Sequence, residues 1–141
     1  MAAINSKRIL LGALVAGIVW NIWSILVNVV LLASRYAEAQ NSGLLLKLPR
    51  YRLFPLYWLV MIFILSYVVA WLYASVRATC GAGPWTALKV GVLTGFAAGF
   101  PVNLAVASWS PLNRVLPFWW MMDLWVGAIL ATLLAGWLYK D

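Results

Sequence analysis

The sequence contains no histidine, one cysteine (Cys80) and three acidic residues, Glu38, Asp123 and Asp141. Each scarcity closes a class of chemistry. Without histidine there is no Ser–His or Cys–His nucleophile pair. With only one cysteine as well, the usual ligand sets for zinc, haem iron and copper are missing, so no metal or other cofactor is implied. A single cysteine forms no internal disulfide, and the redox compartment cannot be read from it. Charge is scarce too: 9% of the 141 residues are charged and 66% are hydrophobic, where an ordinary soluble domain has about 25% and about 45–50%. A water-soluble fold of this size has too little interior to hide that much apolar surface. Lipid is therefore the expected solvent for most of the chain.

What charge there is carries a net +7. Clustered, it would suit nucleic acid. The ten Lys and Arg residues instead lie at the ends of apolar segments, where membrane proteins meet headgroup phosphates. The expected partners are membrane lipids and other membrane-protein subunits, not nucleic acid.

A spanning helix needs about 20 mostly apolar residues. Four segments qualify, at about 9–33, 55–76, 85–107 and 115–139. They predict a single all-α transmembrane domain over residues 1–141, an integral-membrane four-helix bundle. The motif "YAEAQ" after the first segment has the small-residue spacing of a signal-cleavage site, but the apolar stretch before it is about 25 residues long. Signal cores run about 7–15, so the segment reads as a retained helix. The connection 34–54 is the one long loop. In its second half, "GLLLKLPRYRLFPLYW", apolar residues alternate with Lys47, Arg50 and Arg52. That pattern suits a segment lying in the headgroup layer, and equally a solvated basic loop. With Arg114, these three are the candidate headgroup-binding residues.

Orientation is nearly balanced. Lys7, Arg8, Arg77, Lys89 and Lys140 sit at the end holding both termini, and Arg35, Lys47, Arg50, Arg52 and Arg114 at the other. Five against five gives no decision by the positive-inside rule. Lys7 and Arg8 directly precede the first span, which often dominates, so cytoplasmic termini are expected.

The two halves of the chain rhyme. Lys7 precedes Asn21 by fourteen residues and Lys89 precedes Asn103 by the same number, each Asn following a Gly by four ("GIVWN", "GFPVN"). The second and fourth segments open with "PLYW" and "PFWW" and close with "AWLY" and "GWLY". Both copies start from one side, so a duplication would be parallel. Chance similarity between apolar segments is the alternative.

Small residues recur every four positions, the spacing by which helices approach closely in lipid. Gly91, Gly95 and Gly99 lead to Asn103; Ala13 and Gly17 lead to Asn21; Asp123 leads to Gly127, Ala131 and Ala135. These glycines are the candidate packing residues. The polar ends, with Asn28 on the face of Asn21, form a candidate intramembrane cluster of Asp123, Asn103, Asn28 and Asn21. Pro101 is expected to bend the third segment below Asn103. The expectation is a tightly packed lower half and a looser, polar upper half.

Asp123 lies in the apolar run "PFWWMMDLWVGAIL". A carboxylate in the bilayer core costs at least about 2.5–3.5 kcal/mol on insertion scales. It is expected either to be protonated, or to accept hydrogen bonds from Asn103, Asn28 or Tyr57, or to reach up to Arg114 or Arg52 at the interface. It is either a functional group or a structural latch. As a latch it would join the third and fourth segments through Asn103. Asn21, near mid-membrane, reads as interhelical glue.

Three functions compete. An accessory subunit of a larger membrane complex, not an enzyme, is the leading expectation. It accounts for the missing catalytic groups, the balanced charge and the ten tryptophans, whose outer faces would contact partners or lipid. A small homo-oligomeric transporter or channel using Asp123 is the alternative. The small multidrug-resistance transporters match in size, but their essential membrane acid is a glutamate in the first helix, which has no acid here. A lipid-modifying enzyme, with Asp123 as acid or base and Arg114 or Arg52 holding a phosphate, is the weakest. The patterns "KRILLGALVAGIVWN", "AWLYASVRATCGAGPWTALKVGVLTGF" and "GWLYKD" resemble small four-helix inner-membrane proteins of bacteria. The resemblance implies that location and brings no activity and no functional residues.

Overall fold

The structure, a computed structural model, describes residues 5–139. Lys140 and Asp141, one counted in the charge balance and the other among the acids, lie outside the described residues. The described chain is all-helical, with α1 (Ser6–Ile25), a π-helical segment (Leu26–Leu31), α2 (Ala33–Asn41), α3 (Phe54–Cys80), α4 (Pro84–Trp109) and α5 (Val115–Leu138). Ser6–Leu31, α3, α4 and α5 are each long and apolar enough to cross a membrane. This is a multi-pass membrane protein built as a four-span bundle.

Local signals set the ends of these helices. The Asn5 side chain accepts a hydrogen bond from the Arg8 amide and caps α1, satisfying one of the free N–H groups there. Pro55 and Pro84 stand in the first turns of α3 and α4, where no backbone donor is needed. Between α3 and α4 the chain turns through Gly81 and Gly83, at φ of +85° and +137°, conformations open to glycine. Pro101 does not break α4, which runs through it.

Two expectations about the first connection are corrected. The first span ends in a π-helical turn rather than a plain α-helix, closed by the Leu32 amide on the Val27 carbonyl. Residues 34–41, expected in the loop, belong to α2, leaving 42–53 irregular. The sequence "SRYAEAQN" is too polar to register as part of a span, yet it packs: Ala39 and Leu32 are buried with Val27 and Leu116 under α2.

The bundle is ordered so that α1 packs on α3 and α5, while α4 packs most extensively on α5 and more lightly on α3. The α4–α5 contact is backbone to backbone. A Cβ on Gly91 would stand 2.7 Å from the Ile129 Cα, and one on Gly95 2.9 Å from both the Cα and the carbonyl oxygen of Trp125. Gly99 approaches the Met121 carbonyl. The Trp125 indole then donates to the Val92 carbonyl across the same seam, at 3.1 Å.

The row Asp123–Gly127–Ala131–Ala135 faces elsewhere. Gly127 receives the buried Trp20 indole of α1, and Ala135 meets Gly12. So α5 turns its row of small residues to α1, and meets the glycines of α4 with the backbone of Met121, Trp125 and Ile129. Gly17 is filled by the Phe63 ring of α3.

At the termini end the two halves clasp each other. The Gly83 amide, at the N-cap of α4, donates to the Tyr73 hydroxyl of α3 at 3.2 Å. The Asn5 amide, at the N-cap of α1, donates to the Tyr139 hydroxyl after α5 at 3.0 Å. The two rings meet edge to face, with centroids 6.4 Å apart. Each "WLY" tyrosine therefore caps the first helix of the opposite half. Likewise Asn21 donates to the Gly17 carbonyl at 2.9 Å and Asn103 to the Gly99 carbonyl at 2.8 Å. Matching bonds of this kind are what a parallel duplication would leave.

Replacing Gly95 by Leu must push α4 off the α5 backbone. The expected loss is about 1–3 kcal/mol, the usual cost of overpacking, read as a lower melting temperature in detergent. Leu93→Ala, at a residue 69% exposed on the outer face of α4, should leave that temperature unchanged.

Candidate functional site

Above the small-residue seams the four spans part around a cavity of about 730 Å³. All four contribute to its wall, α2 adds Tyr36, and Leu45 and Phe54 line it beside the basic segment. The looser, polar upper half expected from the sequence takes this form.

Asp123 stands in the wall, 1% exposed. Its Oδ2 accepts two hydrogen bonds of 2.8 Å, from the Ser24 hydroxyl and the Asn28 amide. Each donor is itself held. The Trp58 indole donates to the Ser24 hydroxyl at 2.9 Å. The Tyr36 hydroxyl donates to the Asn28 carboxamide oxygen at 2.7 Å, and the Trp120 indole donates to that hydroxyl at 2.6 Å. The Tyr36 and Trp120 rings also stack, with centroids 6.4 Å apart. Burial holds the Tyr36 phenol above its usual pKa; the hydrogen bond from Trp120 acts the other way, and the charge of Asp123 adds to the rise. The phenol is thus kept protonated, the form that donates to Asn28. Every link in both chains of donors runs toward Asp123.

The π-helical turn makes this possible. Asn28 lies within it, and π-turns inside helices gather at functional sites. The Asn28 amide nitrogen also donates to the Ser24 carbonyl at 2.9 Å, so the side chain supports a carbonyl next to the altered turn while reaching Asp123. The second carboxylate oxygen, Oδ1, is buried without a hydrogen-bond partner.

Several expected partners of Asp123 are corrected. Asn103 does not latch onto it, because its amide closes on Gly99 of its own helix. Asn21 closes in the same way on Gly17 and is not interhelical glue. Both nevertheless line the cavity, each 8% exposed, so the cluster of Asp123, Asn103, Asn28 and Asn21 shares one space. Tyr57 points outward, 51% exposed. Arg52 and Arg114 are exposed and absent from the cavity wall. Of the expected donors only Asn28 reaches Asp123, and the latch joins the first span to the last. The error was one of rotation: the depth of Asp123 is as expected, but its face of α5 meets α1.

Ser24, Tyr36, Trp58 and Trp120 were missed. Asn21, Ser24 and Asn28 fall at helical spacing, so Ser24 was legible as part of a polar stripe. No sequence signal marked the other three. Of the tryptophans, Trp71, Trp85, Trp109 and Trp137 are exposed, while Trp20, Trp58, Trp120 and Trp125 pack or bond inside. The tryptophan excess is thus not only an outer surface. Lys47, Arg50 and Arg52 lie exposed on the irregular segment, among Leu46, Leu48, Tyr51 and Leu53, which are also exposed. Among the described residues no group of His, Cys, Asp and Glu side chains could hold a metal ion. The chain matches no protein-family model, no curated protein and no solved structure.

A double-mutant cycle between Asp123→Ala and Asn28→Ala, measured by unfolding in detergent, should give a coupling energy of about 0.5–3 kcal/mol, the range for residues in one network. The cycle between Asp123→Ala and Asn103→Ala should give a coupling near zero.

Proposed function

We propose that the chain is a membrane-embedded binding protein, of the kind used in transport, that holds a small amphipathic molecule in the cavity beside Asp123. The observation that carries this reading is the unpartnered Oδ1 of a buried carboxylate in the wall of that cavity. Five side chains, Ser24 and Asn28 directly and Trp58, Tyr36 and Trp120 behind them, support the other oxygen and leave this one free. For stability alone such an arrangement is a poor choice, since a half-satisfied buried network is worse than an apolar core. It makes sense if a ligand completes it. A cavity of this size falls in the usual range for small-molecule sites, about 300–1,000 Å³.

The setting is taken to be a bacterial inner membrane with both ends of the described chain on the cytoplasmic side. Lys7 and Arg8, in the first turn of the first span, favour that orientation. A headgroup role for Lys47, Arg50, Arg52 and Arg114 belongs to the same reading, since all four are exposed at the far end of the bundle. The role is binding, not catalysis.

The accessory-subunit reading keeps one specific support. Trp109 is 91% and Leu48 80% exposed at the far end, and a neighbouring subunit would cover them. Native mass spectrometry after gentle extraction separates the two. A monomer or small homo-oligomer carrying a small-molecule adduct, lost in Asp123→Asn, is expected. A large particle with other polypeptides and no such adduct would establish the accessory role instead.

A further inference from the structure

We infer that the ligand of this cavity is an amphipathic ammonium, with an apolar body and a cationic head whose N–H groups bond to Asp123. The inference rests on the binding role proposed above and adds its substrate class.

The polar groups of the wall are unequally committed. The hydroxyls of Ser24 and Tyr36 and the indole N–H groups of Trp58 and Trp120 all donate within the network. Both Asn28 amide hydrogens are engaged, one on Asp123 and one on the Ser24 carbonyl. Only the second amide hydrogens of Asn21 and Asn103 remain. Acceptors, by contrast, are left over. Asp123 Oδ1 is buried and unpartnered. Because Asn21 and Asn103 turn their nitrogens onto helix carbonyls, their carboxamide oxygens are the ends that take no hydrogen bond among the described residues. Three free acceptor oxygens, one of them a carboxylate oxygen, stand against two free amide hydrogens, a balance that favours a ligand that donates.

Charge selects further. Asp123 is the one ionisable carboxylate in the wall, and no lysine or arginine lines it. An anion would find no countercharge, only two neutral amide hydrogens, and the repulsion of Asp123. A neutral alcohol brings a single donor and no charge. An ammonium brings up to three donors and the missing positive charge, and charge-assisted bonds are the strong ones. The rings of Tyr36, Phe54, Trp58 and Trp120 line the same space, and aromatic faces attract desolvated cations. The remaining wall, with Ile25, Val29, Leu59 and Val102, suits an apolar body.

Such a head can come from a free amphipathic amine or from the ethanolamine headgroup of a phospholipid. The test uses octylammonium, octanol and octanoate, which share one tail. Each is titrated into the intact chain in phosphatidylcholine nanodiscs, with tryptophan emission as readout and empty discs as the partition control. The wild-type protein should bind octylammonium saturably and about tenfold or more tightly than octanol, with octanoate weaker still. Asp123→Asn, checked by circular dichroism to be folded, should abolish the gap. The wild-type contrast needs no variant, so a misfolded mutant does not blunt the test. Displacement of octylammonium by added phosphatidylethanolamine would identify the lipid headgroup as the source, and no displacement a free amine; both uphold the ammonium class. Saturable binding of octanol as tight as that of octylammonium would overturn the ammonium class and leave the binding role standing. No saturable binding of any of the three, with no adduct in the mass spectrum, would overturn the binding role itself.

Discussion

In a bilayer no water is at hand for a stranded polar group, so each must find its partner within the protein. The two hydrogen bonds from Ser24 and Asn28 meet that constraint for one oxygen of Asp123 and leave the other without a partner, and the upper half of the molecule is arranged around them. They require α5 to turn one face toward α1. They require a π-turn to place Asn28, and α2 to bring Tyr36 back over it. They also bring Trp58 and Trp120 inward, where their indoles serve as donors rather than as interfacial anchors. The bundle is not a uniform cylinder. Below, glycine and alanine let backbones touch; above, aromatic and amide side chains hold the spans apart around an open space.

What was legible in the sequence follows from which signals survive in an apolar chain. The spans could be read because length and composition alone mark them. The Gly91–Gly95–Gly99 seam could be read because its spacing keeps three glycines on one face. What those glycines pack against could not. Met121, Trp125 and Ile129 carry no mark distinguishing them from lipid-facing residues, since every face of α5 is apolar or small. The partner of Asp123 was misjudged for a related reason. Depth along a helix follows from counting residues, but which neighbour a face meets follows from how the helices are arranged, and the face of α5 that carries Asp123 turns to α1 rather than to α4. Helix α2 was missed because the search for spans looks for apolar runs and "SRYAEAQN" is polar.

The matching bonds of the two halves bear on how the site arose. Asn21 and Asn103 bond identically to glycine carbonyls one turn back, and Tyr73 and Tyr139 cap opposite halves. The polar network breaks this likeness completely. Ser24, Asn28 and Asp123 have no mirror across the bundle: the positions matching Ser24 and Asn28 in α4 are Val106 and Ser110, and neither bonds a carboxylate. The likeness reaches the cavity wall at Asn21 and Asn103 and ends at the carboxylate network.

The crossed tyrosine caps have a mechanical consequence. Each half is pinned at its root by the other, and the arginine at the end of α3 reinforces the join, with Arg77 over the Tyr139 ring at 4.8 Å and its guanidinium donating to the Tyr139 carbonyl. A pair of rods fixed together at one end moves like tongs: small rotations at the pivot become large displacements at the tips. The tips here are the far ends of the spans, with residues 42–53 irregular between α2 and α3. Asp123 precedes Tyr139 by 16 residues, about 24 Å of helix at about 1.5 Å per residue, so any widening of the cavity would be levered from a pivot on the other side of the small-residue seams.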